Sequence, residues 1–520
     1  MNTKPKNTYG KVCLVGAGPG DAGLITVTGL ERLRRCDVVV FDALANPELL
    51  AEAPDNAERI DVGKRARNHK LTQDETNQLL VDLAREGKNV VRLKGGDPYL
   101  FGRGAEECAF LTRNGVHCEV VPGVTSGIAA PTTAGIPVTH RKVASTVTIV
   151  TGHEDPTKGE TSVDYDGLAK LIARGGTACF YMGVGRLQQI ADSLAECGLA
   201  RTTPAAVVQW GTLPYQRSAK GTLDKIKAEV ENTGVSSPAI IVVGDVAAIE
   251  EPGLDYFTDR PLFGQRVLVT RTRQQASELR LGLAELGAHV FEAPTLELAP
   301  PSADDEARLN NAIKHIDEND WILLTSANAV NVLADRLAET GDDARRLAGV
   351  GIASVGDATT TSLWDRLRLK SDFVPEQFSG EAMARQFIDE YDIKGQRCLL
   401  LRADIARPAL PRLLVEAGAI VNEAVAYQTQ KPAALPADVL EALREGIDWV
   451  TFTSSSTVRN FVELLGEEAS LLKNVRAASI GPITSETMRE LGIEVAVESE
   501  SASVASLIEA VAECVSSASD

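Results

Sequence analysis

Six short stretches in the first half of the chain carry residue types that can do chemistry, and each closes an apolar run. They are Gly16-Ala17-Gly18-Pro19-Gly20-Asp21, Asp42, Gly95-Gly96-Asp97, Pro122-Gly123-Val124-Thr125-Ser126, Thr151-Gly152-His153 and Tyr181-Met182-Gly183. Glycine has no Cβ and accepts positive φ, so such a tip can bring bare backbone against a ligand. Asp42 ends a strand and so suits a group aimed into a crevice, although on its own it reads equally as a cap or a turn carboxylate. The glycines at 16 and 18 invite comparison with the dinucleotide fingerprint G-x-G-x-x-G, but Asp21-Ala22 stand where its third glycine belongs. Pro19 stiffens this turn and Asp21 puts negative charge where a pyrophosphate would sit. A ligand without phosphates is favoured.

In an open α/β sheet, ligands bind beyond the carboxyl ends of the strands, so these tips are expected to share one crevice. Residues 205–243 then read as strands (AAVVQW, QRSAKGTL, PAIIVVG) around one helix, a second small α/β lobe. Residues 251–264, EPGLDYFTDRPLFG, hold two prolines, two glycines and no clear period, and read as a linker. From Gln265 a new α/β pattern begins with strand RVLVT, helix Gln275–Leu286 and strand AHVFEAP. It contains an internal echo. Asp320-Trp321 through Thr325-Ser326-Ala327-Asn328 is matched by Asp448-Trp449 through Thr453-Ser454-Ser455-Ser456, and Ala353–Asp357 by Ala478–Pro482. Two similar sub-domains are predicted.

The totals bound the function. A chain of 520 residues fits two to four domains, and 44% apolar residues is ordinary for a globular protein. Lys+Arg against Asp+Glu gives 28 − 31 = −3 for residues 1–258 and 25 − 41 = −16 for residues 259–520. An acidic second half argues against nucleic acid, whose binding depends on neutralising phosphates. No apolar run approaches the ~20 residues that span a bilayer, and the polar first residues lack the core of a signal peptide. A soluble cytoplasmic protein is expected, with no membrane partner. The eight cysteines are scattered without C-x-x-C or histidine pairing at metal spacing, so reduced core cysteines and no metal are expected.

GAGPGDAGLIT, VVVFDAL, VGKR, VRLKGGDPYLFGRGAEE, VPGVTSGIAAPTTAGIPVTHR, TGH, YMG and SPAIIVVG resemble, in order and spacing, the uroporphyrinogen-III C-methyltransferases of the tetrapyrrole methylase fold. The resemblance covers residues 10–250 and implies two α/β domains with S-adenosylmethionine in the cleft between them, in a homodimer. Matched motif by motif, it implies Asp42 as proton acceptor and Lys64 as proton donor. Lys64 follows Gly63 in a basic loop, and by itself reads as a solvated lysine or a contact to a substrate carboxylate. For the cofactor the resemblance implies Pro19, Gly95, Gly96, Asp97, Leu100, Thr125, Ser126, Met182 and Gly211. Asp97 is suited to ribose hydroxyls or the amino group, and Met182 and Leu100 to packing on adenine or, equally, to plain core. Arg65, Arg103 and Arg141 lie near strand tips where they can pair with a polycarboxylate; each also reads as a surface charge.

The paired motifs of the second half, with RVLVTR, LLLRAD and VAYQTQKP, resemble uroporphyrinogen-III synthase over residues 265–515. That family implies two flavodoxin-like α/β domains joined by a two-stranded ladder. Residues 265–291 with 425–520 would make one and about 300–421 the other. The Ser/Thr turns at Thr325-Ser326 and Thr453-Ser454 supply donors for carboxylates, or simply cap helices. Tyr427 is the candidate for assisting departure of a hydroxyl, against a plain hinge-strand tyrosine. The expected whole is a bifunctional enzyme that makes uroporphyrinogen III from hydroxymethylbilane and methylates it twice to precorrin-2, for sirohaem or cobalamin. The alternative is a methylase of another tetrapyrrole whose second half is a non-catalytic binding module.

Overall fold

Val38, Val39 and Val40 have no exposure at all, the mark of a parallel strand covered on both faces. They belong to a five-stranded, all-parallel sheet in the order Glu58–Asp61, Val38–Phe41, Val90–Lys94, Lys11–Gly16, His117–Val121. One core lies on each face, around Leu93 and Leu33 on one side and around Leu14 and Leu80 on the other. The register sets Gly16 beside Lys94 and Phe41 beside Leu93, so the carboxyl ends finish level. Asp42, Gly95 and the 16–21 turn therefore leave the sheet along one edge.

A second sheet of five strands follows in the order Arg217–Thr222, Pro204–Gln209, Ala239–Val243, Gly176–Tyr181, Thr146–Thr151. Only its last pair is parallel. Residues 251–264 lack a period because single side chains hold them. Phe257 and Leu262 are buried, and the Arg260 guanidinium stacks 3.9 Å from the centre of the Phe257 ring.

This computed structural model describes residues 9–65, 68–69, 71–152, 161–270, 273–406 and 408–518. The chain divides into two compact units: Met1–Val267 with Leu281–Val290 and Val511–Asp520, and Leu268–Arg280 with Phe291–Ala510. After Gln265 two further five-stranded sheets form. One runs His289–Glu292, Arg266–Val269, Trp449–Phe452, Arg476–Ser479, Val495–Glu498. The other runs Glu297–Ala299, Ile420–Gln430, Arg397–Ala403, Trp321–Leu324, Gly351–Ser354. The internal echo occupies equivalent places in them: Trp321 and Trp449 each open a strand that feeds a serine-capped helix. Ile420–Gln430 runs eleven residues, parallel to Arg397–Ala403 at first and then antiparallel to Glu297–Ala299, with Ala299 opposite Gln428. That short ladder pairs three residues of each strand. Among the described residues, no helix is long and apolar enough to cross a membrane.

Candidate functional site

Three glycines make the floor of the first site. A Cβ on Gly16 would stand 2.5 Å from Gly123 Cα, and one on Gly123 would stand 2.2 Å from the Gly96 carbonyl oxygen. Backbones this close admit no other residue. Gly96 N–H donates to the Gly18 carbonyl at 2.6 Å, and Asp97 fastens the third loop by accepting Gly123 N–H at 3.0 Å and Tyr99 N–H at 2.8 Å. Gly96 itself sits at φ +67° with open space where a Cβ would project, so the floor presents bare backbone there.

The second sheet closes over this floor. Tyr181, at the end of Gly176–Tyr181, hydrogen-bonds through its hydroxyl to Thr125 Oγ1 and to the N–H of Gly127. Thr212 Oγ1 accepts the N–H of Asp21 at 3.0 Å, and Gly211 lies so close to Ala130 that a Cβ would come within 2.2 Å. Phe101, Arg103, Met182, Trp210 and Thr212 all adopt positive φ in these loops. Left-handed backbone at non-glycine residues carries strain, of order 1–3 kcal/mol each, that tends to collect at functional sites. Two of them touch the opposing loops directly: Thr212 binds Asp21, and the Phe101 ring packs 5.3 Å from that of Tyr181.

Behind Asp42 lies a buried group of charges. Arg92 Nη2 is 3.2 Å from Asp42 Oδ2, Arg92 Nε is 3.5 Å from Glu107 Oε1, and Lys94 Nζ is 3.1 Å from the same Glu107 oxygen. Gln73 Nε2 adds a donor to Glu107 at 2.9 Å. Two cations face two carboxylates, which keeps the cluster neutral. Burial, then the neighbouring Arg92 charge, lowers the Lys94 pKa from its ordinary value, opposed by Glu107. Among the described residues no group of three or more His, Cys, Asp and Glu is arranged to hold a metal ion.

In the second half of the chain, Ser326 caps the helix Ala327–Glu339 by accepting Ala329 N–H at 3.1 Å. The same hydroxyl is 3.0 Å from the Tyr427 hydroxyl. Tyr427 is aimed by a register shift at Arg402/Ala403, which sets Ala403 beside Tyr427 where an even ladder would have placed Ala426. Ser454 caps Ser455–Leu465 in a capping box with Thr457.

The tetrapyrrole (corrin/porphyrin) methylase family model matches residues 11–227, and the uroporphyrinogen-III synthase HemD model matches residues 277–509. A porphyrin biosynthesis protein HemD from Ruminiclostridium josui is 37% identical over 494 residues, 95% of this chain and 96% of that protein. The chain belongs to the tetrapyrrole methylases in its first half and to the uroporphyrinogen-III synthases in its second. An S-adenosyl-L-methionine-dependent uroporphyrinogen III methyltransferase from Methanosarcina barkeri is 50% identical over 243 residues, covering 47% of this chain and 94% of that protein. The crystal structure of uroporphyrin-III C-methyltransferase from Thermus thermophilus with S-adenyl homocysteine aligns at 38% identity over 46% of this chain and all of its own, with a TM-score of 0.39.

Within the methylase half, contacts join the tips carrying Asp42, Gly95, Gly96, Asp97, Thr125 and Gly211, and Met182 follows Tyr181 with half its surface exposed. Pro19 lies in the turn bridged to Gly96, Leu100 two residues beyond the Asp97-Pro98 turn, and Ser126 opens the helix Ser126–Thr133. Asp97 has a structural duty beyond the expected ligand contact, since each of its oxygens already accepts a backbone N–H. Each oxygen keeps a second lone pair. Arg103 is engaged as well, forked onto Glu106 with both side chains more than half exposed. A surface pair of this kind is worth little and can exchange its partner. Arg141 is exposed in the segment that follows the helix Ser126–Thr133. Lys64 and Arg65 form a two-residue strand against Asn68–His69; their side chains and His153 lie outside the described residues.

Arg92, Lys94, Glu107 and Thr212 are not singled out by the sequence, and Tyr181 enters it only as the first residue of a strand tip, with no role assigned to its hydroxyl. One signal was available for the first two. They stand two apart on a strand, hence on one face, inside an otherwise apolar run. In the synthase half, Ser326 and Ser454 are N-caps whose hydroxyls each accept a first-turn N–H and also lie within hydrogen-bond distance of a second hydroxyl, Tyr427 and Ser456 respectively. Thr325 and Thr453 precede them as half-buried residues.

Proposed function

We propose that the synthase half cyclises hydroxymethylbilane to uroporphyrinogen III with inversion of the last pyrrole, and that the methylase half methylates this product twice to give precorrin-2. The observation that carries the reading is the backbone cradle at Gly96 beside the Asp42 carboxylate, in a chain whose other half is of the synthase family. The cradle suits S-adenosylmethionine. It offers bare peptide, the apolar Met182 and Leu100 and acidic Asp97, while the two buried cations of this sheet among the described residues, Arg92 and Lys94, are paired with Asp42 and Glu107. Bound there, S-adenosylmethionine supplies an electrophilic methyl group on a sulfonium.

This chain's residues then have three tasks. Backbone at Gly95, Gly96 and Thr125 fixes the donor, Arg103, Arg141 and Arg65 meet the carboxylates of the macrocycle, and Asp42 accepts the proton lost from the substituted pyrrole. Holding two reactants in line can account for ~7–11 kcal/mol of a barrier. Lys64 is the proton donor in this reading, and a homodimer through the methylase half rests, like Lys64, on the family resemblance. The domain limits follow the same reading: 10–250, a connection at 251–264, and 265–515.

In the synthase half, Tyr427 is assigned to protonate the departing hydroxyl of the linear substrate, its own hydroxyl held by Ser326. Tyr427→Phe is expected to slow type III formation about 100-fold, the low end of general-acid effects, and so to raise the share of spontaneous type I porphyrinogen. Chromatographic separation of the oxidised isomers measures this. An unchanged ratio removes Tyr427 from the reaction.

A further inference from the structure

An arginine has no stabilising reason to sit in the middle strand of a parallel sheet. Arg92 pairs in register with Val40 on one side and Leu14 on the other, and its side chain is 5% exposed. Burying a guanidinium is costly, and a buried ion pair seldom recovers more than well-packed apolar side chains would. Here the cost is met in part: both terminal nitrogens find acceptors, while Arg92 Nε and Glu107 Oε2 are buried without a hydrogen bond. One end of the guanidinium donates from Nη1 to the carbonyls of Val40 at 3.4 Å and Leu93 at 3.2 Å, the other from Nη2 to Asp42 Oδ2 at 3.2 Å. Glu107, wholly buried in the first turn of Gly104–Arg113, stands against Nε and is itself pinned by Lys94 and Gln73.

The geometry fixes a single atom. Asp42 is 29% exposed; its Oδ2 is tied inward to Arg92, and its Oδ1 meets only the long 3.5 Å approach of Gly95 N–H, on the loop that carries the cradle. We infer that Arg92 is a positioning residue: anchored on the Val40 and Leu93 carbonyls with Glu107 beside its Nε, it orients the Asp42 carboxylate so that Oδ1 faces the cleft as the proton-accepting oxygen. The inference rests on the reading of Asp42 as proton acceptor. The planar fork is what the task needs, because an ammonium at 94 or 92 can neutralise charge but cannot hold two carbonyls and a carboxylate in one plane.

The test is a double-mutant cycle in the full-length chain, with uroporphyrinogen III and S-adenosylmethionine as substrates and S-adenosylhomocysteine binding as the control for a folded cleft. Arg92→Gln should lower kcat for methyl transfer by about 100-fold, within the range of a misplaced general base, with KM for S-adenosylmethionine changed less than about threefold. Arg92→Lys, which keeps the buried charge, should restore thermal stability without restoring kcat. In the Asp42→Asn background, Arg92→Gln should cost nothing further. The inference is overturned if the two losses multiply, or if Arg92→Lys restores kcat together with stability. Wild-type turnover by Asp42→Asn alone would instead sink the reading of Asp42, and this inference with it.

Discussion

Asp42→Asn is expected to lower methyl transfer to uroporphyrinogen III by about 10²–10⁴-fold, the usual worth of a positioned general base, while S-adenosylhomocysteine binds with near-native affinity. Asparagine keeps the shape of the side chain and its carbonyl can still accept from Arg92, so the floor glycines and their hydrogen bonds should persist. What it lacks is a basic oxygen. Loss of the proton follows formation of the carbon–carbon bond, so a burst of singly attacked product in single-turnover experiments would agree with this role. Rapid-quench kinetics, with calorimetry for the cofactor product, separates the two effects. Unchanged turnover would take Asp42 out of the mechanism.

Gly123→Ala is expected to weaken S-adenosylhomocysteine binding by at least about 100-fold, ~2.8 kcal/mol at 1.4 kcal/mol per decade, and to lower the thermal midpoint as well. The new Cβ would sit 2.2 Å from the Gly96 carbonyl oxygen and 2.8 Å from Gly16 Cα, both backbone atoms that cannot swing aside. Relief requires the 95–97 loop to retreat, which breaks the Gly18–Gly96 bridge and the Asp97–Gly123 bond together. Gly96→Ala is the control. Its Cβ meets nothing within 4 Å, so the penalty in the free protein is the φ +67° strain, roughly 1–2 kcal/mol. Because that Cβ projects into the cradle, cofactor binding should still fall. A Gly123→Ala protein that binds normally would mean the ligand lies elsewhere.

The strand-tip glycines and Asp42 were readable from the sequence because a parallel sheet announces its ligand edge: apolar strands stop, and glycine or acid follows. The parallel register then brings tips 50 residues or more apart onto one edge, as it does for Asp42 and Arg92. The Arg92–Glu107 cluster was harder to see. Val-Arg-Leu-Lys alternates like a half-exposed strand, and only its place between two other strands turns the polar face into a buried one. Nor does sequence reveal that Glu107, thirteen residues beyond Lys94, returns beneath it. The contacts of Tyr181 and Thr212 were hidden for the same reason, since each acts across the cleft on a residue distant in the chain. Arg103 shows the converse. Its partner Glu106 lies at i+3 on the same helix, a pairing that helical spacing alone makes available.

Joining the two families in one chain raises the local concentration of the shared tetrapyrrole without requiring a channel. The direct test gives the purified full-length chain hydroxymethylbilane and S-adenosylmethionine together and follows the products by mass spectrometry. The account predicts a doubly methylated type III tetrapyrrole, with two equivalents of S-adenosylhomocysteine formed for each. Type I porphyrinogen with no methylated product, despite a folded chain that binds S-adenosylhomocysteine, would contradict it.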